Sequence, residues 1–157
     1  MFNHSFIFNP GSWGGEGKIV LNMVEEELIF NTLWAVQNKD FSGKVICAQD
    51  ISIQGLSENM RNELTFYNFG AKDFTVDMEN ANVGRIVGKG VYDDKMIAWE
   101  FRNSDINFEG FETYMLQEDG SYTMKGEYLT ADQFRTQIEA RIFLKNNEPP
   151  PHESEEE

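Results

Sequence analysis

The sequence predicts an all-β protein: a single antiparallel up-and-down barrel of about ten strands. Three observations carry that prediction. Apolar and polar residues alternate with period two along most of the body. Residues that tolerate turn geometry recur every eight to twelve positions. No proline occurs between Pro10 and Pro149, as suits strands whose N–H groups are all engaged in ladders. Ten consecutive strands joined by short turns most simply form a meander, and closing it removes the exposed edges.

The first strand, near 14–24, sets Ile19, Leu21 and Met23 against Lys18, Val20 and Asn22. In the second, 27–38, Leu28, Phe30, Thr32, Trp34 and Val36 share a face. The third, 43–55, carries Val45, Cys47, Ile51 and Ile53, with Gln49 interrupting them. Leu56 to Asn62 is the segment that suits a short helix. Phe66 lies in a strand at 63–70, and Phe74, Val76 and Met78 alternate through 73–80. Gly88 and Gly90 mark a kink in the strand at 84–92, and Ile97, Trp99 and Phe101 define 96–103. The strand at 108–118 admits two registers: Glu112, Tyr114 and Leu116 inward, or Phe111, Thr113 and Met115 inward. The second register, which leaves Glu112 in water, is the plainer expectation. Strands at 122–129 and 133–145 complete the set, the last running through Phe134, Thr136, Ile138, Ala140, Ile142 and Leu144. Turns fall at Gly70-Ala71-Lys72-Asp73, Asn80-Ala81-Asn82, Asp93-Asp94 and Asp119-Gly120. Thr130-Ala131-Asp132 suits a helical turn.

With 157 residues the chain suits one domain, here 1–146, large enough for a core without disulfides. The remainder, 147–157, is an acidic, Pro-rich tail expected to be disordered. From Asn146 onward the chain holds five of the 27 carboxylates and none of the 13 Lys and Arg, so the body carries −9 of the net −14. That charge argues against nucleic acid or an anionic membrane surface as partner. No apolar run approaches the length of a membrane helix, and Met1 to Phe8 lacks the basic start of a signal peptide. One cysteine excludes an internal disulfide and fits a reducing compartment, so a cytoplasmic location is expected.

The segment Gly11-Ser12-Trp13-Gly14-Gly15-Glu16-Gly17 resembles the Gly-x-Trp opening of lipocalin-like proteins. Its longer form, Gly-x-Trp-x-Gly-x-Gly, looks still more like the opening of nitrobindin-like barrels, and Glu26 to Phe30 suits their second strand. The resemblance implies a calycin-like barrel around an apolar ligand cavity. It further implies that Gly11 and Trp13 close one end, with Arg135 or Arg141 of the last strand packed over the tryptophan. Two departures limit the cargo it implies. The haem histidine of the nitrobindin-like C-terminal strand is missing, since the two histidines are His4 and His152. The Arg-x-Tyr of fatty-acid-binding barrels is absent too, because Thr136 and Gln137 follow Arg135.

The remaining chemistry is sparse. Trp34, Phe66, Trp99, Phe101, Tyr114 and Tyr128 fit the wall of a hydrophobic ligand site, because such sites are apolar with a few polar groups. Glu112, if it faces inward, would carry a raised pKa and orient a ligand headgroup. Glu100, Arg102, Glu127, Arg135, Glu139 and Arg141 alternate in sign across nearby strands, as outer-surface ion pairs do. Cys47 sits in an apolar stretch without a histidine nearby and reads as an inert thiol. Two distant histidines give no metal spacing, and Gly84-x-x-x-Gly88-x-Gly90 lacks the context of a phosphate loop. The sequence therefore leads to a non-enzymatic protein that binds a small, largely apolar molecule, with no cofactor or metal. The alternative is an interaction protein with a filled barrel and an acidic partner-binding surface.

Overall fold

Period-two alternation gives each strand one apolar face that must be covered, and this chain covers it by closing the sheet on itself. The computed structural model describes residues 4–22, 27–57, 59–81, 83–130 and 135–146. Its strands are β1 (Gly11–Leu21), β2 (Glu27–Val36), β3 (Val45–Ile53), β4 (Asn59–Tyr67) and β5 (Asp73–Asn80). They continue as β6 (Gly84–Tyr92), β7 (Met96–Asn103), β8 (Phe108–Leu116), β9 (Tyr122–Leu129) and β10 (Arg135–Asn146). Each pairs antiparallel with the next, and β1 pairs with β10 to close the barrel. The closing seam runs from Ser12 opposite Asn146 to Leu21 opposite Thr136. The expected ten-stranded up-and-down barrel is thus the observed one. Among the described residues there is no helix, and so none long and apolar enough to cross a membrane.

Three local expectations are corrected. Leu56 to Asn62 is not a helix, because β4 already begins at Asn59 and Met60 and Asn62 pair with Ile51 and Gln49 of β3. The β3 ladder supplies partners along Asn59–Asn62, and that overrides a weak local preference. The first strand starts at Gly11, so the Gly-x-Trp segment lies within β1, with a register shift against β10 between Ser12 and Trp13. In β8, Phe111 and Met115 are exposed, while Gly110 and Tyr114 are buried and Glu112 lies in phase with them. The plainer register expected from sequence is therefore reversed. Met23, Asn82, Phe134, most of the 130–132 turn and the 147–157 tail lie outside the described residues.

The inner face divides into two halves. Toward one end Trp13, Trp34, Val36, Val45, Phe66, Tyr114, Tyr122 and Ile142 are all buried. That end is stoppered by the chain preceding β1. A turn there, in which the Phe8 and Asn9 amides donate to the Ser5 carbonyl, drives Phe6 and Ile7 into the barrel. Phe6 packs edge-on to Trp13 and Trp34, with ring centroids 5.2 and 5.0 Å apart. Ile7 adopts a φ of 61°, costly for a β-branched residue. Complete burial of its side chain offsets that strain. His4 pins the segment: Nε2 donates to the Asp93 carbonyl at 2.6 Å, and Nδ1 lies 2.7 Å from the Tyr122 hydroxyl.

Toward the other end Leu28, Ile51, Ile53, Tyr128 and Ile138 remain partly exposed, while Phe30, Met78, Ile86, Phe101 and Phe108 are buried beside them. Side chains inside a closed barrel meet solvent through its mouth, so this end is the more open of the two.

Candidate functional site

The site begins with the phase of β8. Gly110, Glu112 and Tyr114 occupy successive inward positions, and Gly126 and Tyr128 of β9 lie opposite Glu112 and Gly110. A Cβ at Gly110 would collide with the Tyr128 ring, so glycine is what lets that ring lie flat against β8. The ring is backed by Phe108, 5.8 Å away between centroids. Phe74 covers Gly90 of β6 in the same manner, so the glycines read as a kink are seats for neighbouring rings.

Glu112 is the chemical centre of this wall. The Tyr114 hydroxyl donates to its Oε1 at 2.5 Å, and the Tyr128 hydroxyl donates to its Oε2. No Lys or Arg pairs with it among the described residues. Burial pushes the carboxyl above its ordinary value of 4.5, and the two phenol donors pull only partly against that. Both phenols are pushed well above 10, first by burial and then by the charge they face. Tyr114 also stacks on Trp99, with centroids 4.9 Å apart. The buried Trp99 Nε1 has no hydrogen-bond partner.

The opposite wall carries a second polar group that sequence reading missed. Asn80 Nδ2 donates to Asn62 Oδ1, Asn62 Nδ2 to Gln49 Oε1, and Gln49 Nε2 to the Thr32 hydroxyl. These bonds cross β5, β4, β3 and β2 in turn on the inner face. The signal was present in the sequence. Gln49 is in phase with Cys47 and Ile51, and Asn62 with Leu64 and Phe66, so each is a polar residue at an inward position.

Of the other expected site residues, Trp34, Phe66, Trp99 and Phe101 are all buried on the inner face. Phe66 and Trp99 pack together at 5.2 Å, and Trp34 lies 6.4 Å from Trp99, inside the filled half. Gly11 and Trp13 lie at the stoppered end, where the indole packs against Phe6 and Tyr122, and Arg141 and Trp13 line one hollow beside it. Arg141 is on the outer wall, where it bridges Asp119 at 2.5 Å. Arg135 is at the far end of β10, paired with Glu127 at 3.0 Å. Phe6 and Tyr122 occupy the place expected of a basic residue, because the preceding chain turns back over the barrel end.

Other ion pairs lie exposed on the outer wall, such as Arg102 with Glu109 at 3.5 Å, and contribute little to stability. Hollows on the outside, including one of about 420 Å³ beside Arg141 and Phe143, lie among these charges and away from Glu112. Cys47 is buried, and burial pushes its thiol up, which leaves it inert. His152 lies outside the described residues. Among the described residues, no three His, Cys, Asp or Glu side chains gather as a metal site would require. No family model matches the chain, and no curated protein matches it.

Proposed function

We propose that this barrel is a binding protein, not a catalyst, and that it holds a small, largely apolar molecule in its open half. The observation that carries the reading is the change in exposure along one inner face. Residues around Trp34 and Phe66 are buried, whereas Ile51, Ile53 and Ile138, equally inward and apolar, remain accessible. Accessible apolar surface inside a closed wall costs free energy in water, and a ligand that covers it recovers about 25 cal/mol per Å². Glu112, with Tyr114 and Tyr128, would fix the ligand's polar end, while the aromatic half forms the floor. The ten-stranded closure and the opening at Gly11 to Gly17 resemble calycin-like barrels, and this agrees with the reading.

The test is titration with Nile red, an uncharged dye that brightens in apolar surroundings. Saturable one-to-one binding is expected, and Ile138→Trp, which fills the lumen from β10, should abolish it without lowering the melting temperature. Binding that never saturates, or that survives Ile138→Trp, would return the barrel to a filled scaffold acting through its acidic surface.

A further inference from the structure

Building on this ligand-binding reading, we propose that the ligand is an organic cation, a protonated amine on an apolar body, and that Glu112 is its counter-ion. The starting point is charge balance. Twelve of the 13 Lys and Arg side chains are exposed, and the thirteenth, Lys18, pairs with Glu27 on the outer wall at 3.3 Å. None is placed to neutralise a carboxylate inside the barrel. A buried carboxylate without a cation is costly unless it is protonated or a partner arrives from outside.

The hydrogen-bond inventory selects the partner. An ionised carboxylate offers about four lone-pair sites and donates nothing. The phenols of Tyr114 and Tyr128 occupy one site on each oxygen, which leaves accepting capacity on both. An ammonium group matches that remainder, because it carries up to three donors and no acceptor. A ketone or ether would add only further acceptors. A carboxylate ligand would set two like charges together in a poorly solvated place.

The surroundings favour the same class. Trp99 lies opposite Glu112 on β7 and stacks on Tyr114, and Phe108 lies against Tyr128, so aromatic rings surround the carboxylate's two phenol donors. Rings attract a desolvated cation through their negative faces. The net charge of −14 draws cations toward the molecule from solution.

The experiment compares three ten-carbon probes by calorimetry near neutral pH and physiological salt: decylamine, 1-decanol and decanoate, each below its micelle concentration. Decylamine is expected to bind one-to-one and at least about tenfold tighter than decanol. Decanoate should be the weakest. Glu112→Gln should bring decylamine and decanol within about twofold of each other. Glu109→Gln, which removes an exposed charge from the same strand, should leave the preference intact.

The unaltered protein provides a second readout. Acidification protonates Glu112 while decylamine keeps its charge, so the amine should lose its advantage and decanol should not weaken. Equal binding of decylamine and decanol by the unaltered protein would overturn the proposal, as would a preference that survives Glu112→Gln. A preference for decanoate would do the same. Those results leave the apolar-ligand reading standing, whereas failure of all three probes to bind would remove both.

Discussion

Replacing Phe6 by alanine tests whether the chain before β1 is part of the barrel's core. Phe6 is 0% exposed and touches four rings: Trp34, Tyr114, Trp13 and Tyr122, at centroid distances of 5.0, 5.1, 5.2 and 5.7 Å. Truncating a fully buried phenylalanine costs about 3–5 kcal/mol in lost transfer energy and residual cavity. Four aromatic contacts, each about 0.5–1.5 kcal/mol beyond area burial, place this site toward the upper end. For a chain of this size each kcal/mol lowers the melting temperature by about 2–4 °C, so a fall of about 6–20 °C is expected. Urea unfolding followed by circular dichroism gives the free energy, with the slope m unchanged if the denatured state is unaffected. Phe41, on the loop between β2 and β3, is fully exposed, and Phe41→Ala should stay within about 0.5 kcal/mol. A loss below about 1 kcal/mol for Phe6→Ala would refute the stopper, since so small a cost is that of a surface residue.

Two further substitutions probe the inner wall. Glu112→Gln keeps an acceptor for one phenol and a donor for the other, and should stabilise the protein at pH values above the raised carboxyl pKa. The folded state bears the full cost of burying the charge only there, so the gain should shrink as the pH falls through the raised value and vanish well below pH 4.5, where the acid is protonated in both states. A gain that persists unchanged in acid, in urea titrations at several pH values, would show that charge is not its cause. Gly110→Ala should cost about 1–3 kcal/mol by overpacking against the Tyr128 ring. In a Tyr128→Leu background most of that cost should disappear, and additive losses in the double-mutant cycle would mean that the ring does not lie over the glycine.

The strands were legible because each alternation records one buried and one solvated face, and that record survives closure into a barrel. What sequence could not fix was which face a mixed strand turns inward. In β8 the outward set holds Phe111 and Met115, and the inward set joins Phe108, Tyr114 and Leu116 to Gly110 and Glu112, so hydrophobicity alone does not decide the register. Tyr128 decides it, because its ring needs the glycine beside it and its hydroxyl needs an acceptor, and that partner lies on another strand. Gln49 broke an apolar pattern for the same kind of reason, since its bonds go to Thr32 and Asn62 across two ladders. The chain before β1 was missed differently. In the sequence Phe6 and Phe8 read only as a segment without a signal peptide's basic start, and His4 only as a histidine without haem or metal context, although buried turns also carry isolated apolar residues. Its partners, Asp93 and Tyr122, are 89 and 118 positions away in the chain.

The two polar groups of the lumen are not equivalent, and their difference bears on where a ligand's polar end would go. On the β2–β5 wall each amide donates to the oxygen of the next, so the chain from Asn80 to Thr32 satisfies its members largely from within. Such a network costs little to bury and rigidifies the wall that holds it. On the β8–β9 wall both phenols give their protons to one carboxylate, and the carboxylate gives nothing back. That arrangement concentrates accepting capacity at Glu112 and keeps it in a poorly solvated place, an unfavourable choice for a wall whose only task is to stand. The aromatic half, closed by Phe6, supplies the burial that lets the fold tolerate it. On the proposed ligand-binding reading, the price in stability at Glu112 is the cost of keeping one inner wall unfinished until a donor arrives.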